Sequence, residues 1–145
     1  MNSTTLSLAT YGGAMTKQGV TVPEHLLADA EIPILTGPQA QGDLLVVPIG
    51  GTTLDLQPVP DAGVQVVFGE ATGNSHFLQR GFDSPGVTFA RPAEGGLVLA
   101  VVHVPEGQNA QLVHTDEHGV NGIGAGTYAI HGKRELADEV RRVTD

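Results

Sequence analysis

Two segments of the sequence carry side chains that could bind a metal ion. They are residues 69–76 and 114–119, and together they hold three of the six histidines. Successive side chains of a β-strand point to opposite faces, so residues two apart in one segment share a face. If the two segments lie side by side, their imidazoles converge into a cluster of ligands.

The predicted ligands are His76, His114 and His118. Imidazole is a common ligand of divalent transition metals, and the candidate ions are zinc, iron, nickel and manganese. Three further residues are expected to hydrogen-bond to these ligands: Asn74, Asp116 and Glu117. The alternative is a site without metal, in which each histidine of a glycine-rich β-loop bonds to the backbone.

The string His114-x-x-Glu117-His118 also matches the signature of inverted zinc proteases. Their chemistry needs a helix that places both histidines and the glutamate on one face. Here the string is followed by four closely spaced glycines, at positions 119, 122, 124 and 126, which disfavour a helix. We therefore do not predict a metalloprotease, and we assign no catalytic residue.

Composition excludes several classes of partner. The formal net charge is −9 with only seven Lys and Arg residues, which disfavours binding to nucleic acid or to anionic lipid. No stretch approaches the roughly 18 apolar residues of a membrane span. There is no cysteine, so any metal must be held by nitrogen and oxygen. These features predict a soluble protein that binds neither nucleic acid nor membrane.

The apolar residues form many short runs. Twenty glycines and nine prolines, with few aromatic residues, are typical of short strands joined by tight turns. The predicted strands cover residues 43–49, 52–56, 64–68, 77–80, 87–90, 96–104, 111–114 and 126–130. About eight short strands predict an all-β fold, either a jelly roll or a closed β-barrel.

Residues 1–41 differ from the rest of the chain. They are poor in large apolar side chains, residues 11–14 (Tyr-Gly-Gly-Ala) should interrupt any regular element, and Pro23 favours a short helix near residues 23–30. We expect an extended N-terminal arm, which lies over the domain or orders against another chain. Residues 42–145 then form the β-sandwich or barrel domain.

Four motifs stand out along the chain: Gly69-Glu70-Ala71-Thr72-Gly73-x-x-His76, His114-x-x-Glu117-His118-Gly119, Gly126-Thr127-Tyr128 and Arg141-Arg142-Val143-x-Asp145. Together they resemble a family of small β-domain proteins from bacteria and tailed phages, over residues 41–145. Asn74 stands where that family has the first of two histidines, and a carboxamide is the weaker metal ligand. The order of the histidine motifs is also similar to cupins, although the spacing differs, so that likeness implies architecture and not activity.

Two functions follow as hypotheses. The first is a non-enzymatic assembly or interaction domain, either a homo-oligomer or a decoration protein that binds a phage capsid or other particle through residues 1–41. The alternative is a cupin-like metal-binding protein or metal-dependent enzyme that uses His76, His114 and His118. The resemblance to phage proteins implies a place in the virion, and without phage ancestry we expect a cytoplasmic protein.

Overall fold

The computed structural model of the chain describes residues 7–20, 30–66, 76–92, 98–115 and 119–132. These residues form one α-helix and eleven β-strands, so the all-β prediction is confirmed. In chain order the elements are α1 (Tyr11–Lys17), β1 (Ile34–Leu35), β2 (Gln39–Gln41), β3 (Leu44–Ile49), β4 (Gln57–Pro58), β5 (Val64–Gln65), β6 (His76–Arg80), β7 (Thr88–Ala90), β8 (Val98–Val104), β9 (Ala110–His114), β10 (Gly119–Ile123) and β11 (Gly126–Gly132).

The strands form two sheets that pack as a sandwich. The five-stranded sheet has the order β1-β10-β9-β6-β5, and the six-stranded sheet has the order β2-β3-β11-β8-β7-β4. After β3 and β4 the chain alternates between the sheets in pairs of strands, which is a jelly-roll-like arrangement. In the described ranges the end strands of the two sheets do not pair with each other. The fold is therefore a sandwich, and the alternative of a closed barrel is wrong.

The main core lies between the two sheets. Strand alternation sends every second side chain inwards, and both sheets contribute large aliphatic residues from their central strands. Strand β8 lies between β11 and β7, so the predicted strand over residues 96–104 is a central strand of the six-stranded sheet over its described part. The fully buried members with the largest side chains are Tyr128, Leu78, Leu112, Ile123 and Ile130.

A second apolar cluster holds α1 against the outer face of the five-stranded sheet. Ala14 and Met15 are fully buried there, together with Ile32, Val113 and Val120. Three glutamines extend this contact. Gln18 donates to Gln79 Oε1 (2.6 Å), and Gln79 Nε2 donates to Gln111 Oε1 (2.7 Å) and to the carbonyl oxygen of Ala14 (3.2 Å). The described part of residues 1–20 thus lies over the sheet.

The position of the helix corrects one expectation. Residues 11–14 were expected to interrupt regular structure, but they begin α1 because Thr10 caps the helix, its side chain accepting from Gly13 N at 3.2 Å. Gly12 and Gly13 each destabilise the helix by about 1 kcal/mol relative to alanine, and the burial of Ala14 and Met15 outweighs this cost. The short helix predicted near residues 23–30 lies outside the described residues except for Ala30. No helix in the described ranges is long and apolar enough to cross a membrane.

A second expectation also fails. Residues 52–56 were predicted as the strand that follows residues 43–49, but no strand forms there. A strand has two edges, and those of β3 are taken by β2 and β11. Strand β2 comes from residues 39–41, which the sequence had assigned to the arm, and a two-residue turn joins it to β3.

Candidate functional site

His76 and His114 lie in direct contact. Their strands, β6 and β9, are antiparallel neighbours in which these two residues are opposite each other. The imidazole rings are stacked, with centroids 4.1 Å apart and planes inclined by 6°. Both side chains are buried, with 2 % of each residue exposed. They share the inner face of the sheet with Leu78 and Leu112, so the pair lies between the two sheets.

Gln41 fixes the protonation of the His76 ring. Its Nε2 donates to the carbonyl oxygen of Leu112 (2.6 Å) and to Asn121 Oδ1 (2.9 Å), which turns Oε1 towards His76 Nδ1 at 3.0 Å. An amide oxygen only accepts, so Nδ1 carries a hydrogen, and whenever the ring is neutral its lone pair is on Nε2. Gln41 is itself 5 % exposed, and it comes from the opposite sheet.

The turn between β2 and β3 covers the histidine pair. Gly42 has a positive φ of 54°, as the first central residue of a two-residue hairpin turn often does. A Cβ at this position would lie 3.0 Å from Cε1 of His114 and 3.3 Å from Cε1 of His76. Glycine is required here both by the backbone conformation and by the close approach of the two rings.

The remaining predicted site residues lie outside the described residues. These are Asn74, Asp116, Glu117 and His118. Strand β9 ends at His114, and Thr115 follows it in a turn. Among the described residues, no three His, Cys, Asp or Glu side chains are grouped closely enough to hold a metal ion.

The stacking also bears on metal binding. A ring nitrogen coordinates a metal along its lone pair, in the plane of the ring and at about 2.0–2.1 Å. Two nearly parallel, stacked rings do not direct their lone pairs to a common point. His76 and His114 could therefore hold one ion together only after one of the rings rotates. Metal binding at this place stays a prediction.

Tyr128, part of the Gly-Thr-Tyr motif, serves the fold. Its hydroxyl group donates to the carbonyl oxygens of Gly124 (3.0 Å) and Ala125 (3.1 Å) across the turn before β11. A Cβ at Gly126 would lie 3.1 Å from the hydroxyl oxygen of Tyr128 and 3.3 Å from the nearest carbons of its ring. Burial raises the pKa of the Tyr128 hydroxyl, because the phenolate is poorly solvated in the core.

Sequence analysis missed a second candidate site, which is formed by exposed apolar side chains at the edge of the five-stranded sheet. Ile34 is 54 % exposed, Leu35 is 50 % exposed and Phe82 is 58 % exposed. Ile34 and Leu35 form β1, the end strand of the five-stranded sheet, and Phe82 follows the end of β6. We call these three residues the apolar edge surface. One signal was present in the sequence, since Ile32-Pro33-Ile34-Leu35 is an apolar run within the arm.

A small cavity of about 130 Å³ lies beside this surface. It is bounded by the outer face of β9 and β10, by residues 31–34 and by the turn that carries Phe82. Neither His76 nor His114 is among its described lining residues. They are Ala9, Glu31, Ile32, Ile34, Phe82, Asn109, Gln111 and Gly122. We call it the edge cavity.

The described basic side chains are held by the chain itself. Lys17 and Arg80 lie 4.0 Å and 2.8 Å from the same oxygen of Asp61, and Arg91 donates to the carbonyl oxygens of Gln65 and Val66. Burial lowers the pKa of Lys17, where nearby Asp61 opposes the shift and Arg80 adds to it. Burial likewise lowers the pKa of Arg91. All three therefore serve contacts within the domain.

Comparison with known proteins identifies a family and no characterised relative. No curated protein and no solved structure was found to match the chain. Residues 40–133, well over half of the chain, match a family described as a domain of unknown function, DUF8820. The matched range includes the histidine pair, both glutamines of β6 and β9, and Tyr128. The chain therefore belongs to the DUF8820 family.

Proposed function

We propose that the chain is a non-enzymatic assembly domain that binds another protein through the apolar edge surface. The observation that carries this proposal is the exposure of Ile34, Leu35 and Phe82, each at least half accessible to water. Ile34 and Phe82 line the same cavity, and Leu35, the next residue of β1, lies on the other face of the same edge. Exposed apolar side chains at a sheet edge are a common feature of protein interfaces. Two of them also line the edge cavity, so the surface offers shape as well as apolar area.

The proposal covers two kinds of assembly. The chain forms a homo-oligomer, or it decorates a larger particle. The resemblance to small proteins of tailed phages supports a capsid as that particle and the virion as the location. Ile34 and Leu35 belong to residues 1–41, the part of the chain that we expected to meet the partner.

Sedimentation of the full chain tests the assembly proposal. We expect the wild type to sediment as an oligomer, or to move with the particle when it is produced together with the products of its neighbouring genes. Replacing Ile34, Leu35 and Phe82 by serine should abolish both behaviours. A control variant changes two other exposed residues, Gln57→Ser and Glu106→Ser, and should behave as the wild type. A wild type that stays monomeric and leaves the particle fraction empty would refute the proposal.

One observation favours a metal-binding function as the second candidate. The hydrogen bond to Gln41 places the lone pair of His76 on Nε2, and the ring of His114 lies directly against it. A fixed tautomer of this kind is usual for a histidine that ligates a metal. His118 would be the third ligand, and zinc, iron, nickel or manganese the ion.

Metal analysis decides this second candidate. The wild type, grown with each of the four metals, should hold one ion per chain, and His114→Ala should hold none. His103→Ala is the control, because His103 lies in β8, where its Nδ1 is 2.9 Å from Thr127 Oγ1. A wild type free of metal under all four conditions rules the metal-binding function out.

A further inference from the structure

The edge strand β1 has one side open for pairing. The carbonyl oxygen of Leu35 accepts from Gly124 N at 2.8 Å, so the backbone of Leu35 points to β10. Backbone groups alternate in direction along a strand, and those of Ile34 and Thr36 therefore point away from β10. No strand of the described ranges pairs on that side. An extended segment of another chain could add there through backbone hydrogen bonds.

Two glycines leave room for β1 in this position. Gly122 lies in β10, and Gly124 follows the end of that strand. A Cβ at Gly122 would lie 2.4 Å from the carbonyl oxygen of Pro33, and a Cβ at Gly124 would lie 2.9 Å from Cγ2 of Thr36. The first of these contacts is with backbone, which cannot turn aside as a side chain can. The position of β1 therefore depends on the absence of a side chain at Gly122.

The edge cavity combines apolar walls with one carboxylate. Ile32, Ile34 and Phe82 supply the apolar part, and Glu31, which is exposed, supplies the negative charge. None of the described Lys and Arg residues forms an ion pair with Glu31. A Lys or Arg side chain matches this arrangement, since its methylene groups can lie along apolar residues. Its charged end can then meet both the face of the Phe82 ring and the carboxylate.

The charge of the chain points to a partner other than a second copy. The net charge is −9, and the three described basic side chains are held within the domain, by Asp61 and by backbone carbonyls. Two copies would meet with like charge, which opposes association. The four other basic residues are all within residues 133–145, which lie outside the described residues. A second copy of the chain is therefore the alternative source of a basic side chain for the cavity.

We infer that the apolar edge surface binds an extended segment of another protein, which adds to β1 and places a Lys or Arg side chain in the edge cavity. This inference rests on the second form of the proposed assembly function, binding to a larger particle, and adds the chemistry of the partner. Backbone pairing with β1 supplies affinity for an extended chain, and the cavity selects the basic residue.

Selection of peptides on the full chain tests the inference. The probe is a displayed library of random peptides of about twelve residues, long enough to form one added strand. We expect the selected peptides to share one Lys or Arg with apolar residues two positions to either side. A selected peptide is then synthesised with Arg and, as the neutral control, with citrulline in its place.

Two variants separate the contributions of backbone pairing and of the cavity. Gly122→Ala should weaken binding of the Arg peptide at least about tenfold, whereas Gly119→Ala, in the same strand but with open space at Cβ, should leave it unchanged. Glu31→Gln, an exposed change, should keep the fold and remove the preference for Arg over citrulline, a loss of roughly fivefold. Urea unfolding of each variant checks that it remains folded.

The inference is overturned if no basic residue is enriched, or if the selected peptides bind Glu31→Gln as tightly as the wild type. It also fails if a peptide with the sequence of residues 133–145 binds as tightly as the selected peptides, because a second copy would then be the occupant. If the wild type assembles, the serine variant does not, and no basic peptide is selected, the inference alone is refuted. If the chain binds basic peptides but never assembles, the assembly function alone is refuted.

Discussion

The hydrogen bonds of Gln41 should be a large contribution to stability. Its side chain joins the two sheets, because it comes from β2 and contacts His76 and Leu112 in the other sheet. Gln41→Ala removes both contacts. The His76 Nδ1–H loses this acceptor, and the carbonyl oxygen of Leu112 loses this donor. The site is buried, so water does not readily replace the missing amide.

The expected loss follows from the buried imidazole. A buried polar group deprived of its hydrogen-bond partner costs about 1–3 kcal/mol. The carbonyl oxygen of Leu112 keeps its place in the pairing of β9 with β10, so its loss of the amide costs less. We therefore expect Gln41→Ala to lower the free energy of unfolding by about 1–3 kcal/mol. Gln39→Ala is the matched control, since Gln39 is two residues away on β2 and also bonds to Asn121 but is only half-buried. Water can take over its contacts, and we expect a loss of about 0.5–1 kcal/mol.

Urea unfolding at neutral pH measures both losses, and nitrogen NMR of the imidazole reports the tautomer of His76. The wild type should show the hydrogen on Nδ1, and Gln41→Ala should shift His76 away from that single tautomer. Equal destabilisation by Gln41→Ala and Gln39→Ala would refute the reasoning. So would a wild-type spectrum with the hydrogen of His76 on Nε2.

Two further predictions concern the ends of the strands. Gly81→Ala should lower the free energy of unfolding by about 1–3 kcal/mol, because its Cβ would lie 1.6 Å from Oδ1 and 2.8 Å from the carbonyl oxygen of Asn109. Urea unfolding measures this loss. The control is Gly50→Ala, which has open space at Cβ and should change the stability very little. Tyr128→Phe should cost about 1–2 kcal/mol at neutral pH through the lost bond to Gly124. Burial raises the pKa of Tyr128 in the folded chain, so the wild type should lose stability as the pH rises above about 10, the pKa of tyrosine in the unfolded chain. The urea midpoint of Tyr128→Phe should fall less over that range. Equal falls of the two midpoints with pH would contradict this prediction.

The sequence predicted the interior strands better than the edge strands. Val98–Val104 and Leu44–Ile49 are long apolar runs bounded by glycine or proline, and burial on a sheet face gives such runs a clear pattern. Strands of two residues, such as β1 and β4, have no pattern of their own. They form because a neighbouring strand offers a free edge, which only the tertiary structure reveals.

The candidate sites differ in the same way. The contact of His76 with His114 follows from two strands whose residues could be recognised separately, and the pairing of β6 with β9 brings them together. The contribution of Gln41 could not be foreseen, because it reaches the pair from the other sheet, across a gap in sequence of 35 residues. The apolar edge surface depends on exposure, and the sequence alone does not tell an exposed isoleucine from a buried one.

The place of β11 has a consequence for synthesis of the chain. This strand lies between β3 and β8, so the six-stranded sheet remains in two separate parts until residues 126–132 have left the ribosome. Until then, the edges of β3 and β8 that pair with β11 in the folded chain have no partner. Unpaired edges of apolar strands tend to pair with non-native strands or with other chains. Folding of this sheet during translation therefore has to wait for the last of the described strands.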